Sequence, residues 1–298
     1  MVAIVQTGFE RTCTDGVRIR GDEWRVPGSS PVATVIIAPA TGVLARYYHR
    51  YARFLAAAGL RVLTFDYRGI GQSRPQQLRT CGFRWRDWGE LDLDEILRFA
   101  LEEKLPVHVV GHSIGGFLPG FSPRAHFISR MLTVGAQYAY WRDYAADHRG
   151  RLVWKWHVVM PSLTFVLGYF PGRRLGWLEN LPKGVANEWS FRRARMELSY
   201  PKRDRSRILA SFHAVRATIC AVGVSDDDIA PHRAIERALA YYDGAARQHI
   251  CVTPRQLDCD HIGHFGLFHE RFRETFWEWS LRWLLDQPSR SKSFDFGI

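Results

Sequence analysis

Three short, largely apolar runs, residues 34–38 (TVIIA), 61–65 (RVLTF) and 107–110 (VHVV), alternate with segments of helical periodicity. That alternation constrains the fold more than any other feature of the chain. A continuous apolar run of this length suits a strand buried on both faces. Between the first two runs Tyr47, Tyr51, Phe54, Leu55 and Ala58 recur at helical spacing, with Arg46, Arg50 and Arg53 on another face and Gly59 as the stop. Residues 88–101 read as an acidic amphipathic helix between the second and third runs. Strand and helix alternating at this density predict βαβ units and a mainly parallel sheet flanked by helices. Residues 128–134, 218–224 and 249–253 extend the sheet, and period-two alternation over residues 16–26 reads as a strand or hairpin. A closing helix is expected over residues 271–285, and the residues after Pro288 read as frayed.

The rhythm breaks between residues 138 and 205. This stretch holds Trp141, Trp154, Trp156, Trp177 and Trp189 together with Pro161, Pro171 and Pro182. It reads as a few short helices, without strands, inserted after the sixth strand. The expected organisation is a core of residues 1–137 and 206–298 and a helical, aromatic-rich cap of residues 138–205.

The formal charge of +11 raises nucleic-acid binding. Arginine supplies most of that charge and is scattered, and the densest stretch, residues 192–207, is broken by Glu197 and Asp204. Solvated basic faces are the reading, and no nucleic-acid partner is expected. The five cysteines are widely spaced without a CxxC, which fits neither a disulfide framework nor a zinc site. The first residues lack the basic flank and long apolar core of a signal peptide. The apolar stretch 158–170 is interrupted by Pro161 and too short to span a bilayer. A cytoplasmic setting without stable membrane insertion is the expectation.

The sharpest chemical signal is Gly111-His112-Ser113-Ile114-Gly115, where a buried strand meets a predicted helix. A nucleophile on a tight strand-to-helix turn needs small neighbours so that the chains approach closely. Its oxygen then stands at the sheet edge beside a helix N-terminus, which favours negative charge. A serine nucleophile also needs a base, and the base an orienting carboxylate. The chain offers both in the order this turn requires: Asp226, Asp227 and Asp228 after one strand, then His261 and His264 after the next.

The segments IIAPATG, FDYRGIGQS, VVGHSIGG, VGVSDDDIAP and DHIGHFGLF stand in the order found in the α/β-hydrolase superfamily. The chain resembles that family over nearly its whole length, and within it a branch of predicted serine hydrolases near lysophospholipase and serine aminopeptidase-like members. The segment GYFPGRRLGWLENLPKGVANEW is similar to that branch's cap signature. The resemblance implies the α/β-hydrolase fold, with Ser113 as nucleophile and His264, in its Gly-His motif, as base. His261 is the second choice. The family's acid precedes a proline by four residues, which is Asp227 before Pro231, with Asp226 as the fallback. The oxyanion donors implied are the backbone amides of Ile114 and Thr41, with Ala40 the alternative to Thr41. Asp66 in Asp66-Tyr67-Arg68-Gly69 falls in a segment whose role in the family is structural. Pro119 departs from the pattern, because it should kink or shorten the helix that begins at Ile114.

The expected function is hydrolysis of a carboxylic ester or related acyl compound through an acyl-enzyme, with no cofactor and no metal. Among the cap rings, Tyr138, Trp141, Trp154 and Phe165 are the first candidates to line an apolar acyl or aryl pocket, within a wider set that includes Trp156. Acyl transfer or thioester cleavage on the same triad is the nearest rival, and a non-catalytic ligand-binding version of the fold is another. The expected partner is a small-molecule acyl substrate, with a homodimer left open.

Overall fold

A computed structural model describes residues 3–287 of the chain; the segment expected to fray after Pro288 lies outside the described residues. Strands β1 (Val5–Thr12) and β2 (Arg18–Arg25) form an antiparallel hairpin. β3 (Thr34–Ala38), β4 (Arg61–Asp66), β5 (Val107–His112) and β6 (Ile128–Val134) follow. A two-residue pair, β7 (Tyr169–Phe170) and β8 (Leu181–Pro182), lies in the inserted segment. β9 (Thr218–Val224) and β10 (Ala246–Val252) complete the main sheet. Among the described residues that sheet has eight strands in the order β1-β2-β4-β3-β5-β6-β9-β10. β2 alone is reversed, antiparallel to both β1 and β4, and the six strands from β4 to β10 in that order are parallel, which is the α/β-hydrolase fold.

The burial follows from the sequence pattern. β3, β4 and β5 are buried at every position, as their unbroken apolar runs require. Alternate residues serve opposite faces of the sheet. Ile36, Leu63 and Val109 pack beneath Trp88, Leu93 and Leu97, while Val35, Val62 and Val110 pack beneath Tyr51, Leu55 and Trp277. β1 was not legible in the sequence, because most of its side chains face solvent and carry no apolar alternation. It is held by its ladder to β2 and by pairs such as Glu10 with Arg18 and Arg20.

Four expectations need correction. The turn after Ser113 does not grow into an α-helix. It is two 3-10 turns, Ser113–Gly116 and Leu118–Phe121, with Pro119 in the first turn of the second, where its missing N–H costs least. The inserted segment is helical but not strand-free, since Tyr169 pairs with Pro182 and Phe170 with Leu181. Nor does Pro161 break the chain there. Helix Arg149–Val153 continues through a widened π-helical stretch, Trp154–Val159, into helix Met160–Leu167, and Gly168 ends it in the left-handed region. The boundary drawn at residue 205 falls inside helix Lys202–His213, whose Phe212 packs on Phe117 and Phe121 below the insertion.

Part of the positive charge is held in ion pairs. Arg68 is buried between Asp92 and Asp15, Arg61 binds Glu23 and Glu103, and Arg237 binds Asp143. The loop after β4 is structural as expected: Asp66 accepts the amides of Ala45 and Gln72, and burial raises its carboxyl against those two bonds.

Candidate active site

β5 ends at His112, and the chain turns at Ser113 with φ of 55°. A non-glycine residue held there stores on the order of 1–3 kcal/mol of strain. The flanking glycines make the turn geometrically open. A Cβ on Gly115 would collide with the carbonyl oxygen of Ala38, and one on Gly111 with Gly116. Ser113 is 6% exposed, and Gln137 Nε2 donates to its Oγ at 3.5 Å. Gln137 is itself fixed, because its Oε1 accepts the amide of Ala139.

The loop after β9 carries the three aspartates, and the structure separates their roles. Asp227 Oδ2 accepts from His264 Nδ1 at 2.6 Å, and Oδ1 accepts the amides of Ile229 and Ala230. The two side chains are 0% and 6% exposed. Burial alone would raise the Asp227 carboxyl. The His264 charge and hydrogen bond and the two amides outweigh it and hold Asp227 below the usual carboxylate range. With Nδ1 engaged by Asp227, Nε2 is the ring nitrogen of His264 left for another partner. Asp226, the fallback, instead accepts from His261 Nδ1 at 2.6 Å and from the amides of Ile262 and Gly263. His261, the second choice for the base, is therefore paired elsewhere and 73% exposed at its side chain. Asp228 faces His148 and Arg151 at 3.6 and 3.5 Å.

Thr41 and Ala40 lie on the loop after β3 at the same site. The amide of Ala40 donates to Tyr48 Oη at 3.1 Å, so it is already engaged. Ile114 is the second residue of the 3-10 turn Ser113–Gly116, and an amide in that first turn has no partner within its own helix.

Ser113, His264, Asp227, Thr41 and Ala40 all border one cavity of about 320 Å³. Its wall from the insertion consists of Arg151, Leu152, Lys155, Trp156, Trp177, Leu178 and Trp189. None of the four first pocket candidates is there. Tyr138 is buried under the insertion, its hydroxyl donating to the carbonyl of Ala194 and its ring against Phe117 and Tyr241. Trp141, Trp154 and Phe165 are 37%, 61% and 82% exposed on the outer surface. Trp156, from the wider set, does line the cavity. Two residues apart on a helix lie about 200° apart, so Trp154 and Trp156 cannot share a face. The legible signal was Leu152, Lys155 and Trp156 at i, i+3 and i+4. The carbonyl of Trp156, which the missing N–H of Pro161 cannot serve, accepts from Ser190 Oγ at 2.7 Å.

Sequence reasoning also missed a buried relay. Tyr48 Oη donates to His112 Nδ1 at 2.7 Å, and His112 Nε2–H donates to the carbonyl of His264 at 2.8 Å. Outside the cavity, His232, Glu236 and His249 bring potential metal-ligand atoms within 4.8 Å of one another on helix His232–Leu239 and β10. No group of that cluster borders the Ser113 cavity.

Residues 35–275 match the model of the alpha/beta hydrolase family, and the chain belongs to that family. A monoacylglycerol lipase of Mycolicibacterium smegmatis is 35% identical over 120 residues, a match that spans 39% of this chain and 41% of that lipase. Two solved esterases share the fold. The Pyrococcus furiosus enzyme superposes with a TM-score of 0.62 at 15% identity, covering 97% of this chain and 93% of its own. The Exiguobacterium antarcticum enzyme gives 0.59 at 18%, covering 94% and 100%. Among the described residues no helix is long and apolar enough to cross a membrane.

Proposed function

We propose that the protein is a serine hydrolase that cleaves a carboxylic ester with an apolar acyl or aryl group. The observation that carries this reading is the pairing of Asp227 with His264 at 2.6 Å beside Ser113 in its left-handed turn, all bordering one cavity. His264 Nε2 removes the proton of Ser113 as Oγ attacks the ester carbonyl. Asp227 fixes the tautomer and stabilises the imidazolium. The amides of Thr41 and Ile114 hold the oxyanion. His264 then returns its proton to the leaving alcohol and activates the water that releases the acid. The segment between β6 and β9 acts as the cap, and its wall of rings and leucines selects the acyl group. The free state of all five cysteines supports a reducing cytoplasm.

Turnover of a panel of p-nitrophenyl esters by the wild type, lost in Ser113→Ala with the fold intact by circular dichroism, is the expected result. Equal turnover by the variant would refute the assignment.

A further inference from the structure

Lys155 stands apart among the charged groups of the cavity. It is half-buried in the widened helical stretch Trp154–Val159, and its ammonium sits 4.4 Å from the ring centre of Trp156 and 4.3 Å from that of Trp177. Among the described residues no carboxylate forms an ion pair with it. The three carboxylates that share the cavity are committed elsewhere: Asp227 to His264 and two amides, Asp226 to His261 and two amides, Asp228 to Arg151 and His148. Burial, and then the neighbouring charge of Arg151, lower the Lys155 ammonium from its ordinary value. The two rings stand nearly perpendicular, 80° apart with centres 5.6 Å from each other, and an ammonium resting over both still has N–H donors for an anionic partner. Partial removal from water strengthens any charge pair formed there.

We propose that Lys155 is an anion subsite, and that the preferred substrate is an ester bearing a carboxylate or phosphate on the part that rests against Trp156 and Trp177. This rests on the hydrolase reading for Ser113 and names the substrate class of that site. The apolar wall holds the body of the group while Lys155 pairs with its charged end. Arg151 adds positive potential without being free itself, since Asp228 engages it.

The test compares matched esters that differ in one charge. On the acyl side these are 4-nitrophenyl hexanoate and the mono-4-nitrophenyl ester of adipic acid; on the alcohol side, phenyl hexanoate and 4-carboxyphenyl hexanoate. The readout is the anionic-to-neutral ratio of kcat/KM. Lys155→Met keeps most of the aliphatic stem against the rings and should lower that ratio at least tenfold for the pair whose charge reaches the subsite. Lys155→Arg should keep it within about threefold. An unchanged ratio in both pairs, even with both esters slowed, would overturn the proposal and leave Lys155 as a clamp on the two indoles. Binding separates this from the hydrolase reading. In Ser113→Ala, hexanoate should quench indole fluorescence at lower concentration than 1-hexanol, and the added Lys155→Met should remove the difference. If the wild type turns over no ester while hexanoate binding depends on Lys155, the hydrolase reading fails and the subsite stands. If esters are cleaved but hexanoate and hexanol bind alike, the subsite fails alone.

Discussion

Tyr48 and His112 share a buried hydrogen bond of 2.7 Å, and each passes it on to a different part of the site. Tyr48 Oη also accepts the amide of Ala40 on the loop after β3, and His112 Nε2–H holds the carbonyl of His264. Both side chains are 0% exposed. Burial, and then the charge of His264, push the His112 imidazolium down to about 3, so the ring is neutral with its proton on Nε2. The relay ties the loop after β3, the residue before Ser113 and the backbone of His264 into one unit.

Removing the Tyr48 hydroxyl orphans the Ala40 amide and the Nδ1 of His112. Tyr48→Phe should cost about 1–3 kcal/mol of stability, the usual penalty for stranded buried partners. It should also lower kcat about tenfold with little change in KM, because it loosens positioning and not substrate contact. Urea unfolding and ester kinetics on the same preparation check both.

Asp227→Asn should reduce turnover about 10⁴-fold, as expected when the orienting carboxylate of a triad is lost. Asp226→Asn should cost far less turnover but should lower the melting temperature, since Asp226 holds the amides of Ile262 and Gly263. Equal losses in the two variants would contradict the separation of roles seen in the loop.

His108 lies in β5, 6% exposed, with Nδ1 unpartnered. Burial, then Arg130, lower it to about 4. In the unfolded chain its ring takes a proton below about pH 6.5, whereas the folded protein resists protonation until about pH 4. Its contribution is therefore intact above pH 6.5 and lost as pH falls. His108→Leu should lose about 2 kcal/mol less stability than the wild type between pH 7 and pH 5, by urea unfolding at both.

The apolar part of the cavity wall predicts that kcat/KM rises roughly fourfold per methylene of the acyl chain until the space is filled, from about 0.8 kcal/mol per buried methylene. A flat profile from acetate to octanoate esters would show that Leu152, Trp156 and Leu178 do not contact the acyl chain.

The strand-to-turn setting of Ser113 was legible because both ingredients are local: an apolar run and two glycines that backbone approach demands. The six parallel strands were legible for the same reason. The identity of the cavity wall was not. Which of Trp154 and Trp156 turns inward depends on helical phase, and the carbonyl of Trp156 in the widened turn accommodating Pro161 lies 34 residues in sequence from Ser190, its hydrogen-bonding partner. The relay through Tyr48 and His112 joins residues 64 positions apart and then reaches a backbone atom of His264, which no residue pattern advertises. Pro119 did announce its effect, since the turn after Ser113 stays short.

Covalent labelling by a fluorophosphonate, followed by peptide mass spectrometry, tests the central claim most directly. The account predicts a single phosphonylated residue, Ser113, with labelling abolished in Ser113→Ala and strongly slowed in His264→Ala. Labelling of Ser113→Ala at the wild-type rate, or modification of another serine in the wild type, would contradict it.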